Sequence, residues 1–78
     1  MRTRDFNELT LKEKAIVFEN SKKAILKPIA DSGKYTVDLY FMANMTVMIL
    51  AFKENGRIIQ AIALGNAIEM LLDCVYAN

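Results

Sequence analysis

The stretch Tyr35–Leu64, YTVDLYFMANMTVMILAFKENGRIIQAIAL, decides the fold, because two long apolar runs meet in it at the turn sequence Lys53-Glu54-Asn55-Gly56-Arg57. Asn and Gly both tolerate the positive φ of a tight reversal, and Asn-Gly between β-rich runs is the strongest short-range hairpin signal. The two runs are therefore expected to pair antiparallel. Side chains alternate faces along a strand, so residue parity sorts them. The odd positions Tyr35, Val37, Leu39, Phe41, Val47, Ile49, Ala51, Ile59, Ala61 and Ala63 carry no polar group except the Tyr35 hydroxyl. Thr36, Asp38, Thr46 and Gln60 are all even. The odd set is the expected core face. Keeping parity through the turn needs an odd loop, which Glu54-Asn55-Gly56 supplies with Gly56 left-handed. A two-residue Asn55-Gly56 loop would place Gln60 among the apolar set.

The even face should look outward, yet it also holds Tyr40, Met42, Met48, Leu50, Phe52, Ile58, Ile62 and Leu64. A contiguous apolar patch beyond a few hundred Å² marks a partner or a binding groove. Tyr40, Met42, Met48, Leu50, Phe52, Ile58 and Ile62 thus form the candidate interface, for a second copy of the chain or for another protein. The plainer alternative is a three-layer monomer in which the second helix or the N-terminal segment covers that face.

Composition points the same way. A chain of 78 residues is one domain, 1–78, of a size at which a single core yields only a few kcal/mol. Its hydrophobic fraction of 54% exceeds the roughly 45–50% usual for globular chains, so self-association is expected. The net charge is +1, and the basic residues of the N-terminal half alternate with Asp5, Glu8, Glu13, Glu19 and Asp31. Such mixing cancels the field that a nucleic-acid backbone requires, and no nucleic acid is expected as a partner. Cys74 is the single cysteine, which excludes an intrachain disulfide and fits a reducing compartment. The opening Met1-Arg2-Thr3-Arg4-Asp5-Phe6-Asn7-Glu8 has acids and amides where a signal peptide has its apolar segment, so a cytoplasmic location is expected. The charge-free run between Asp38 and Lys53 is too short for a membrane span.

Thr10-Leu11-Lys12-Glu13 has capping-box spacing, so a helix should start at Leu11 and end near Lys22–Ala24. Leu11, Ala15 and Phe18 form its stripe, while Phe6 and Leu9 tuck under its start. Ile25–Ala30 reads as a short edge strand, because Pro28 has no N–H to give a ladder. Asp31-Ser32-Gly33-Lys34 is a loop. The reversal around Met42–Met45 lacks glycine, and Asn44 alone suits positive φ there. After Gly65, Asn66 with Glu69 repeats the cap pattern, and a second helix is expected to about Tyr76, burying Ala67, Ile68, Met70, Leu71, Cys74 and Val75. The expected fold is α+β and two-layer: an antiparallel four-stranded meander sheet flanked by an N-terminal and a C-terminal helix, in the order α-β-β-β-β-α.

The opening Phe6-Asn7-Glu8-Leu9-Thr10-Leu11-Lys12-Glu13-Lys14-Ala15, the Tyr35-x-Val37-x-Leu39-Tyr40 strand, the hairpin with Val47 and Ile49 and a closing helix resemble a set of small bacterial single-domain proteins. The resemblance covers most of the chain and implies the same fold. It implies no activity, cofactor or site residue.

Chemistry-bearing groups are sparse. There is no histidine, the commonest general base and metal ligand. Asp31, Asp38, Glu54, Glu69 and Asp73 lack ligand spacing, Cys74 lacks a base to activate it, and Gly33, Gly56 and Gly65 stand singly rather than in a phosphate-cradling loop. The sequence therefore reads as a non-enzymatic protein-interaction module that needs no cofactor and homodimerises through its outer sheet face. Binding of an apolar small molecule or lipid on that face is the alternative, and a nucleic-acid-associated role is a weaker one.

Overall fold

The structure is a computed structural model that describes residues 1–66. Two helices, α1 (Thr3–Asn7) and α2 (Leu11–Asn20), precede strands β1 (Lys23–Asp31), β2 (Tyr35–Met42), β3 (Met45–Phe52) and β4 (Ile58–Asn66). The strands form a four-stranded antiparallel meander in the order β1-β2-β3-β4. The α+β class and the meander are as the sequence implies. The expected C-terminal helix lies outside the described residues.

The start of α2 is set by its cap: Thr10 Oγ1 accepts from the Glu13 N–H, and Glu13 Oε1 accepts from the Thr10 N–H at 3.0 Å. Ser21 ends it with extended backbone, earlier than expected, and β1 begins almost at once. The segment before the cap is helical as well. One turn, α1, carries Phe6 into the centre of the core, where it is 0% exposed. Both helices pack on β4, over the face formed by Met45, Val47, Ile49, Ala51, Ala61 and Ala63.

That face agrees with the odd set on β3 and with Ala61 and Ala63 on β4, by a different device from the one expected; Ile59, also expected in the core, is the extra residue of a bulge, and Ile58 packs against the core in its place. Through the body of the hairpin the pairs Val47–Ala63, Met48–Ile62, Ile49–Ala61 and Leu50–Gln60 have the register of a three-residue loop. The loop itself is Lys53–Gly56, closed by Phe52 N–H to the Arg57 carbonyl at 2.9 Å and by Gly56 N–H to the Phe52 carbonyl at 2.8 Å. A bulge between Leu50 and Ala51, where Ile58 rather than Ile59 pairs with Ala51, restores the parity that the longer loop would lose. Gly56, at φ 71°, takes the left-handed position.

On β2 the parity is the reverse of the expectation. Ala43 and Asn44 both have positive φ, 48° and 64°, and Met42 pairs directly with Met45. A two-residue turn with both residues left-handed matches the strand twist, and its even length puts even residues of β2 beside odd residues of β3. Thr36, Asp38, Tyr40 and Met42 therefore share the helix side, while Tyr35, Val37, Leu39 and Phe41 lie on the other.

The two sheet edges differ. At β4, the Asn7 side chain pairs with Ala63 as a neighbouring strand would, giving Nδ2–H to its carbonyl at 3.0 Å and accepting its N–H at 2.8 Å. Lys14, itself buried, donates Nζ–H to the Ala61 carbonyl at 2.7 Å with the Phe6 ring 5.7 Å away. At the other edge β1 is exposed throughout, and register shifts leave Leu26 and Ile29 as extra residues on either side of Lys27-Pro28. Bulges, lysines and proline are the usual means of blunting an edge strand.

Candidate interaction surface

The helices occupy one side of the sheet, and no described helix packs on the other. That second side is built by pairing: Tyr35 with Phe52, Val37 with Leu50, Leu39 with Met48, and on β4 Ile62 with Met48. Phe41 adds a further ring and Gln60 is opposite Leu50. Phe41 and Phe52 are each 37% exposed, and Tyr35 and Ile62 are each 40% exposed. The Tyr35 and Phe52 rings lie 5.4 Å apart, tilted by 34°, so one end of the face carries a preformed aromatic pair. Val37, Leu39, Met48 and Leu50 between them are half-buried.

Of the residues singled out from sequence, Met48, Leu50, Phe52 and Ile62 lie together on this side. Tyr40, Met42 and Ile58 do not. Met42 is 1% exposed in the core, Tyr40 packs edge-to-face on Phe18 with ring centroids 5.0 Å apart, and Ile58 sits opposite Ala51 against the core. Burial, and then the neighbouring Asp38 carboxylate, pushes the Tyr40 phenol above its ordinary pKa. The helix side removes these three from any partner. Tyr35, Val37, Leu39 and Phe41 replace them, and counting Ala43-Asn44 as a complete two-residue loop would have found them.

A second concavity lies on the helix side, between α2 and the β3–β4 loop. It is a cleft of about 710 Å³ with a floor of Leu11, Ala15, Phe18 and Ile58 and a rim that includes Lys12 and Arg57. The volume falls in the range of small-molecule sites. Among the described residues, no three histidine, cysteine, aspartate or glutamate side chains gather to hold a metal, and no helix is long and apolar enough to cross a membrane.

Two carboxylates are tuned by local contacts. Asp31 is held below its ordinary pKa by Lys53, whose Nζ is 2.7 Å away, and by the Gly33 N–H. Glu13 is lowered by the Thr10 backbone N–H and then by the Thr10 side chain. Both are structural clasps at the surface. Comparison with known proteins adds no further guide, since no family model, curated protein or solved structure matches the chain.

Proposed function

We propose that the protein is a small cytoplasmic, non-enzymatic interaction module that pairs with a second copy of itself through the helix-free side of its sheet. One observation carries this reading: Tyr35, Val37, Leu39, Phe41, Met48, Leu50, Phe52 and Ile62 form one contiguous side with no described helix upon it. At ordinary strand spacings the face measures roughly 24 Å along β3 and 14 Å across the strands. That extent is within what a monomer commonly leaves bare and well below what a specific stable interface buries on each partner, so the expected association is weak, in the micromolar range or weaker. Both sheet edges are blunted, so the copies meet face to face rather than by strand addition. The single cysteine fits a reducing compartment.

Light scattering across micromolar concentrations tests the reading. A dimer that Leu50→Glu converts into a folded monomer supports it, and a monomer at every concentration contradicts it. The cleft between α2 and the β3–β4 loop favours a second reading, an apolar small molecule held over Leu11, Phe18 and Ile58. A co-purifying ligand in native mass spectrometry, lost in Phe18→Glu, would favour that use; its absence would remove it.

A further inference from the structure

We infer that the cleft between α2 and the β3–β4 loop takes an amphiphilic carboxylate, with its apolar chain along the floor and its head between Lys12 and Arg57. The inference rests on the second reading of that cleft, as a small-molecule site, and does not depend on pairing of the sheet faces. Leu11, Ala15 and Phe18 stand at i, i+4 and i+7 on α2, so one stripe of the helix forms the floor over roughly 10 Å. Ile58 of β4 joins it. Leu11 is exposed, and Ala15, Phe18 and Ile58 are half-buried. A strip of this kind gives an alkyl chain apolar surface to cover, which a bare ion could not use.

Charge at the rim selects the head group. Lys12 and Arg57 line the cleft, and neither has an ion pair among the described residues. Two neighbouring acids are turned elsewhere: Glu13 Oε1 accepts from the Thr10 N–H, and Glu54 lines a separate depression with Tyr35 and Phe52. Glu19 does line the cleft, but it is two helical turns beyond Lys12, roughly 10 Å along the axis. That end of α2 leads through Ser21 into β1, whose Lys23 pairs with Met42 at the opposite end of the sheet from Arg57. Two cations and one acid give the rim a net charge of +1, which a single carboxylate balances. The guanidinium fork of Arg57 can meet such a head with two parallel hydrogen bonds.

Titration calorimetry of the full chain with dodecanoate, dodecanol and dodecylammonium, all below micelle-forming concentrations, separates the head group from the chain. The inference expects dodecanoate to bind about tenfold or more tightly than dodecanol, and dodecylammonium to bind most weakly. Lys12→Gln combined with Arg57→Gln, both at exposed positions, should bring dodecanoate down to the affinity of dodecanol while leaving dodecanol unchanged. Leu50→Glu, on the helix-free side, should alter neither. Equal affinity for dodecanoate and dodecanol overturns the inference and leaves the apolar cleft standing, whereas failure of all three to bind removes the cleft reading and the inference together. Tighter binding of dodecylammonium overturns it, since Glu19 then dominates the rim. Dodecanoate binding that survives the double substitution but is lost in Leu50→Glu also overturns it, because the ligand then lies on the other side of the sheet.

Discussion

Strand β3 has two sides, almost equally apolar, with opposite surroundings. Val47, Ile49 and Ala51 lie beneath Phe6 and the helices, while Met48, Leu50 and Phe52 face away from every described helix. Hydrophobicity alone does not separate them; size and branching do. The covered side continues onto β4 through Ala61 and Ala63, short side chains that let α1 and α2 come close enough for Asn7 and Lys14 to reach the β4 backbone. The other side of β3 presents the longer side chains of Met48, Leu50 and Phe52. The described helices dock where the surface is low.

The contrast should appear first in truncations. Phe6→Ala empties the centre of the covered side and should cost about 3–5 kcal/mol, enough to unfold a domain of this size. Phe52→Ala removes a ring from the other side and should cost the isolated fold about 1 kcal/mol. Urea denaturation of both variants checks the difference, and equal losses would mean that the two sides are equally enclosed. Enlargement gives the mirror test. Ala61→Leu overpacks the space beneath α2 and should destabilise by about 1–3 kcal/mol, whereas Ile62→Leu, its neighbour on the other side, should be close to neutral in the same assay.

The β4 edge is the next point of leverage. Asn7→Ala leaves the Ala63 N–H and carbonyl without their side-chain partner, at a cost of about 1–3 kcal/mol, and amide exchange at Ala63 should quicken more than at Ile62. Smaller still is the turn that reverses β2. Ala43 stands at φ 48°, where a Cβ costs about 1–2 kcal/mol. Ala43→Asn combined with Asn44→Gly should recover about 1 kcal/mol of that strain and raise the denaturation midpoint with the sheet register unchanged.

The weakest effect concerns acid. Glu13 and Asp31 both have folded pKa values below their unfolded ones. Each therefore contributes a small stabilisation that is complete above the ordinary carboxylate range, about pH 4, and lost as pH falls through the depressed folded values. Asp31→Asn should flatten that part of the stability profile measured by denaturation between neutral and acid pH.

Much of this fold is legible in the chain itself, for physical reasons that differ by element. Thr10 and Glu13 declare the start of α2 because a capping box is a local pairing of a side chain with the backbone three residues away. The β3–β4 register was readable because Gly56 marks the reversal and Gln60 penalises a slip, even though the loop is one residue longer than expected and a bulge restores the register. What parity could not give was the face of β2. The Ala43-Asn44 turn has no glycine to announce its length, and one residue more or less in that loop exchanges every side chain of the strand between faces. Tyr40, Met42 and Ile58 left the candidate surface for this kind of reason, the first two through the turn and Ile58 through the bulge. Helix α1 was hidden because a single turn has little periodicity of its own and is held by Phe6, whose burial depends on contacts distant in sequence.

An aspartate scan along β3, from Val47 to Phe52, reads the two sides most directly when stability and sedimentation are measured on each variant. The expected pattern alternates: aspartate at Val47, Ile49 or Ala51 unfolds the chain, while aspartate at Met48, Leu50 or Phe52 leaves it folded, with the copies separated where the charge falls in their contact. Even positions that unfold the chain as odd ones do would contradict the account, as would odd positions that tolerate the charge.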